Sequence, residues 1–207
     1  LLSSVQFPFF SLRDRRWIHR SADILEAFRL VRESGIPCVN MDLIAGLPAD
    51  SVDGFRASLD RVLELAPENI TVHTLALKKG SRLMEEGSAI PSGGDVAAML
   101  DYAWAALRSA GQAPYYLYRQ KYMSGSFENV GWCLPGTESL YNICMMEELH
   151  TILSLGGGGM TKLVDPAAGR IVRIANPKYP KEYLERIDAV CAEKAQAVRF
   201  YQSEQEG

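Results

Sequence analysis

The chain has 207 residues, a net charge of −3, 47% hydrophobic and 23% charged residues, proportions of an ordinary globular protein able to bury a sizeable core. That charge gives no electrostatic case for nucleic acid, and no apolar run approaches the roughly 20 residues of a membrane helix. Cys38, Cys133, Cys144 and Cys191 show no CxxC spacing, which argues against a disulfide framework and against a four-ligand metal site, and reads as four free thiols.

Leu1 to Arg16 has no clear period and reads as an N-terminal extension. It lacks the basic start of a secretion signal, so the expected location is the cytoplasm. Ser21 is placed as a helix N-cap: Ile24, Leu25, Phe28 and Val31 recur at helical spacing, and Gly35 closes the helix. Two apolar runs follow, Cys38 to Ala45 and Asn69 to Ala76, joined by a helical pattern on Val52, Phe55, Leu59, Val62 and Leu63. Strand, helix and strand at that spacing predict a parallel βαβ unit. Ligands of parallel sheets collect at the carboxyl ends of the strands, which puts Gly46-Leu47-Pro48 and Ala76-Leu77-Lys78 on one rim. Asp42 lies between Met41 and Leu43, the pattern of a strand covered on both faces, and needs a hydrogen-bond partner or a place near the rim. A turn-supporting carboxylate and a ligand-binding one fit it equally. His73 lies in the second strand, where a core histidine satisfied by its neighbours is commoner than a catalytic base.

Ser81 is placed as the cap of a short helix through Glu86, and Ser92-Gly93-Gly94 as a turn. The next helix carries Val96, Met99, Leu100, Ala103, Trp104 and Leu107. From Pro114 the texture changes, and Tyr115 to Tyr122 reads as a strand with Tyr116, Tyr118 and Tyr122 on one face beside Gln120. It is either an amphipathic edge strand or an aromatic wall, with Arg119 and Lys121 nearby, suited to a flat acidic ligand. Leu140 to Leu149 is a candidate helix. Leu155-Gly156-Gly157-Gly158-Gly159-Met160 permits a sharp turn or a close approach of backbone to ligand, but no Gly-Lys-Ser/Thr follows, so it is not a P-loop. Lys162 to Val164 and Arg170 to Ile174 flank a hairpin turn, and Pro180 opens a last helix with Tyr183, Leu184, Ile187 and Val190 on one face.

Several of these runs resemble a known family. Asn40-Met41-Asp42-Leu43-Ile44-Ala45-Gly46-Leu47-Pro48 is similar to the fifth-strand signature of oxygen-independent coproporphyrinogen III oxidases, which are radical S-adenosylmethionine enzymes. Thr71 to Ser81 is similar to their sixth strand and following loop. Tyr118-Arg119-Gln120-Lys121, Glu128-Asn129-Val130-Gly131 and Leu155 to Lys162 resemble one branch, the coproporphyrinogen dehydrogenase group. The resemblance runs from about His19 to Ala192. It implies an α/β fold: the C-terminal part of an open (β/α)6 partial TIM barrel plus a small α+β accessory region. Residues 1–18 would then be a nonmatching extension, 19–112 the partial barrel and 113–207 the accessory region. The cofactors it implies are S-adenosylmethionine and a [4Fe-4S] cluster. The implied activity is oxidative decarboxylation of coproporphyrinogen III propionates in haem biosynthesis. By the same resemblance Asp42 falls at the S-adenosylmethionine ribose and Ile44 and Ala76 at its adenine. Tyr118, Arg119, Tyr122 and Gly158 fall on the side of the tetrapyrrole substrate.

The family holds its cluster with a CxxxCxxC loop after its first strand, and this sequence has no such motif. The glycine-rich second-strand motif and the acidic residue of the third strand are absent too. The chain therefore reads as the C-terminal half only, with no metal ligands of its own and inactive alone. It would be a truncated product, a split subunit or a fragment of a longer chain. Two other readings stand beside this one: a haem or porphyrin binding protein without radical chemistry, and an inert chain. The first strand would lack a neighbour on one side, so the expected partner is a missing N-terminal half or a second copy paired through that open edge. Neither nucleic acid nor membrane is expected as a partner.

Overall fold

The computed structural model describes residues 21–76, 91–118 and 127–202. The extension before Ser21, the short helix expected after Ser81 and the strand residues Arg119 to Tyr122 lie outside the described residues. The chain divides into two compact units, Leu1–Ser139 and Leu140–Gly207.

The first unit comprises α1 (Ser21–Glu33), β1 (Asn40–Ala45), α2 (Val52–Leu65), β2 (Asn69–Thr74), α3 (Gly93–Ser109), β3 (Ala113–Tyr118) and β4 (Asn129–Cys133). Its strands form one sheet in the order β1-β2-β4-β3. β1 and β2 run parallel, in register from Asn40 opposite Asn69 to Ala45 opposite Thr74. The βαβ unit expected from the sequence is therefore present. β4 pairs antiparallel with both β2 and β3, which makes the sheet mixed. The boundary drawn at residues 112 and 113 falls inside this unit, because β3 and β4 hydrogen-bond into the sheet that β1 and β2 begin.

Local chemistry sets the helix ends. Ser51 caps α2 by accepting from the Gly54 amide at 3.0 Å, and Ala66 ends it in the left-handed region at φ 51°. Ser92 and Asp95 form a reciprocal capping box, each side chain accepting from the other's amide at 3.1 Å. Gly93 and Gly94 are thus the first residues of α3 and not a turn. Two satisfied amides outweigh the low helix propensity of glycine there. Glu68 braces the start of β1 and the end of α1, accepting from the Val39 amide at 2.8 Å and from Arg32 Nη1 at 2.7 Å.

The two faces of the sheet differ. Met41, Leu43, Ala45, Ile70, Val72 and Trp132 are buried in one cluster with apolar residues of α1, α2 and α3. Strand alternation turns Asn40, Asp42, Ile44, Thr71 and His73 to the opposite face. The sequence pattern of a strand covered equally on both faces is not what forms. Helices cover one side, while Asp42 and Ile44 stay only half-buried. Tyr116 lies opposite Gly131. A Cβ added at Gly131 would sit 1.8 Å from Tyr116 Cε1, so the ring occupies the space a side chain would need.

The second unit comprises α4 (Leu140–Met146), β5 (Met160–Asp165), β6 (Arg170–Ala175), α5 (Pro180–Glu185), α6 (Ile187–Lys194) and α7 (Gln196–Gln202). The predicted hairpin forms, its turn closed by the Ala168 amide donating to Asp165 Oδ1 at 3.0 Å. The single last helix expected after Pro180 is three short ones, interrupted at Arg186 and Ala195. Leu184 is 68% exposed and Val190 only 3%, so the expected stripe buries no continuous face that would hold one long helix. Among the described residues no helix is long and apolar enough to cross a membrane.

Candidate functional site

The polar face of the sheet carries a connected set of side chains around Asp42. Asn40-x-Asp42 on β1 and Thr71-x-His73 on β2 alternate onto the same side, in a register that sets Asp42 opposite Thr71 and Ile44 opposite His73. Asp42 Oδ1 accepts from Asn40 Nδ2 at 2.7 Å. Asn40 Oδ1 in turn accepts from the Thr71 hydroxyl at 3.1 Å, and the Tyr116 hydroxyl lies 3.2 Å from Thr71 Oγ1. Burial, moderated by the Thr71 contact, pushes the Tyr116 phenol up to about 12, so it stays a donor at neutral pH. On the other side His73 Nε2 stands 3.6 Å from Asp42 Oδ2, and His73 Nδ1 is 3.3 Å from the Tyr118 hydroxyl. The Tyr116 and Tyr118 rings run nearly parallel, 9° apart. The carboxylate is thus hydrogen-bonded by Asn40 on one side and faced by His73 on the other, each arm ending in a tyrosine of β3. It is not sealed, since the Asp42 side chain is 13% exposed and that of His73 23%.

Of the residues singled out in the sequence, Asp42 and Tyr118 are brought together through His73. Ile44 is half-buried next to them. Ala76 is half-buried just past β2, at the sheet end where the Leu75 amide donates to Ala45 O at 3.0 Å. At that end Gly46 has φ 85°, and a Cβ there would meet Val96 Cγ2 at 3.0 Å, so the chain leaves β1 tight against α3. Arg119 and Tyr122 lie outside the described residues. Gly158 belongs to the second unit, where its amide donates to Pro177 O at 2.7 Å and its φ of 72° serves a sharp turn. Tyr116 was placed on the tyrosine face but not joined to Asp42, and Asn40, Thr71 and the contacts of His73 were missed. The available signal was the period of two, which places Asn-x-Asp and Thr-x-His on one face once the strands pair in register.

The cysteines do not fit an iron–sulfur cluster. Cys133 is buried, Cys38 and Cys144 are half-buried and Cys191 is exposed. Among the described residues no group of three or more His, Cys, Asp or Glu side chains could hold a metal ion. Burial pushes the Cys133 thiol up to about 11 and, together with the Glu68 charge, raises Cys38, the reverse of what a thiolate ligand needs. The Asp42 carboxylate does fit a ligand that donates hydroxyl hydrogens.

Fold and site together define a class: a mixed α/β sheet with helices on one face and a tyrosine-backed carboxylate on the other. No family model matches the chain. It is 43% identical over 178 residues to the oxygen-independent coproporphyrinogen-III oxidase-like protein HemZ of Bacillus subtilis, a match covering 85% of this chain and 36% of that protein. It is 25% identical over 167 residues to the heme chaperone HemW of Haemophilus influenzae, covering 81% of this chain and 40% of that protein. In structure it resembles the Escherichia coli coproporphyrinogen III oxidase HemN, a radical SAM enzyme, with a TM-score of 0.64 at 20% identity, over 90% of this chain and 43% of that one. The chain is thus similar to the C-terminal part of oxygen-independent coproporphyrinogen-III oxidase-like proteins. It spans between 36% and 40% of the length of the two relatives compared in sequence.

Proposed function

We propose that this chain supplies the C-terminal wall of a radical S-adenosylmethionine site that acts on coproporphyrinogen III or a similar tetrapyrrole. The observation that carries the reading is the partly exposed Asp42 carboxylate, bonded by Asn40 and faced by His73 on the side of the sheet opposite the helices. In this reading Asp42 accepts hydrogen bonds from ribose hydroxyls, and Ile44 and Ala76 pack the adenine. Tyr118, with Arg119 and Tyr122, faces the tetrapyrrole. Gly158, in the second unit, is kept only as a substrate candidate of that unit by itself, its amide already engaged by Pro177 O. Bound S-adenosylmethionine supplies, on reduction, the carbon radical for hydrogen abstraction. This chain's residues bind and orient. The reading requires a [4Fe-4S] cluster held by another polypeptide segment, because the cysteines here do not suit one. We read the sheet as part of an open (β/α)6 barrel working in the cytoplasm, with β1, an edge strand among the described residues, as the place where the rest of the barrel or a second copy adds.

A second reading, haem or porphyrin binding without radical chemistry, is favoured by the parallel tyrosines of β3. One experiment separates the two. The full chain is reconstituted anaerobically, alone and with a separately supplied N-terminal half bearing CxxxCxxC, and assayed for iron, sulfide and coproporphyrin binding. About four irons per complex, only with the partner half, is the expected result. Porphyrin binding with no iron in either case selects the second reading, and neither signal overturns both.

A further inference from the structure

We infer that His73 is a positioning residue for Asp42, held by the Asp42 charge and the Tyr118 hydroxyl together in the tautomer that carries its proton on Nε2, and that with Asn40 it leaves the carboxylate set to accept a vicinal diol. The diol part rests on the reading of Asp42 as a nucleoside-binding group.

The partners fix both arms. Thr71 donates to Asn40 Oδ1, so the Asn40 amide must turn its NH2 toward Asp42. On the other arm the Asp42 carboxylate, 3.6 Å from Nε2, favours the hydrogen on the imidazole edge that faces it, which leaves Nδ1 to accept from the Tyr118 hydroxyl. At 3.6 Å the Nε2 contact lies outside hydrogen-bond range, so Oδ2 keeps its acceptor directions and Oδ1 has given up one. A carboxylate gripped from behind on one oxygen and steered on the other suits two adjacent hydroxyls, the spacing of a ribose cis-diol. His73 is faced by Asp42 from β1 and by Tyr118 from β3, the latter edge-on at 70°. Asn129 of β4 spends its Oδ1 on the Thr74 amide at 2.7 Å. Among these neighbours only Asp42 carries charge at neutral pH.

The test has a reading that needs no ligand. In the full chain, ¹⁵N spectra of the imidazole at pH 8 should show the proton on Nε2, and Tyr118→Phe should abolish that preference. By calorimetry at pH 8, His73→Phe should bind S-adenosylmethionine about tenfold more weakly than the unaltered chain. His73→Gln, which keeps an N–H toward Asp42, should stay within about threefold. A proton found on Nδ1, or His73→Phe binding like the unaltered chain, overturns the inference. A chain that binds no S-adenosylmethionine, yet shows the Nε2 form lost in Tyr118→Phe, overturns the proposed function while the positioning of Asp42 by His73 stands.

Discussion

The two units are held together by different means. In the first, the sheet face and three helices close one apolar cluster in which Met41, Leu59, Val62, Val96 and Met99 are completely buried. In the second, the buried apolar side chains among the described residues are Leu163, Val164, Val190 and Phe200, while Leu155 is 84% exposed and Leu140 69%. Its glycine-rich loop is tied by polar groups instead. Asn176 Nδ2 donates to Gly156 O at 2.8 Å and to Ser154 O at 3.3 Å, and Lys194 Nζ donates to Asn176 Oδ1 at 2.8 Å. Burial is the strong term in folding and a hydrogen bond exchanged with water a weak one. The first unit should therefore open only as a whole, and the second should open piecemeal.

The sharpest way to break that comparison is to cut one side chain from each unit. Leu59→Ala should cost about 3–4 kcal/mol, the transfer free energy plus an unfilled cavity. Leu184→Ala, at a position 68% exposed, should stay within about 0.5 kcal/mol. Urea unfolding followed by circular dichroism reads both. Equal costs would mean that Leu184 is covered in solution and that the second unit has a core of its own kind. Next in size is Gly131→Ala, at about 2 kcal/mol, because its Cβ must displace the Tyr116 ring. Combined with Tyr116→Ala the penalty should be clearly less than additive. Simple additivity would show that the ring does not lie over the glycine.

The Glu68 brace gives a pH-dependent test within the first unit. Burial opposes ionisation of Glu68, but the Arg32 guanidinium and the Val39 amide outweigh it and hold the carboxyl below its ordinary value of 4.5. The folded state therefore favours the ionised form. Its contribution is complete above pH 4.5 and drains away as the pH falls through the lowered folded value. Glu68→Gln should cost about 2 kcal/mol at pH 7, and the gap between the two proteins should narrow as the pH drops below 4.5. A gap that stays constant with pH would remove the charge from the account.

The same division decides what could be read from the sequence. The helices and strands of the first unit were legible because Phe55, Leu59 and Val62, or Met99, Ala103 and Leu107, recur with the period of a buried face. The Ser92–Asp95 box was legible in principle, and was overlooked because two glycines follow the serine. Asp42 stood out for its apolar neighbours, but its partners did not. Asn40 reaches it within β1, two residues away, but Thr71 and Tyr116 join the chain of contacts only through the register of β1 on β2, of β2 on β4 and of β4 on β3, which no local pattern reports. The break of the last helix at Arg186 was illegible for the opposite reason. A periodic stripe on Leu184, Ile187 and Val190 exists, but little in the unit rewards burying it.

The most local expected effect tests the polar half of the comparison directly. Lys194 reaches from α6 to Asn176 and Thr161, and Asn176 holds two carbonyls of the loop. Lys194→Met keeps the apolar stem and removes the donors. If the loop stands on these tethers, its amides between residues 156 and 160 should exchange faster by about fivefold, the loss of about 1 kcal/mol of local protection, with no change in the first unit. Two features make the effect local. The Gly158 amide keeps its Pro177 partner, and the β5–β6 ladder keeps its full register. A variant that instead lowers protection throughout β5 and β6 would show that the tether is part of one cooperative core, and the contrast between a unit closed by burial and a unit tied by hydrogen bonds would no longer hold.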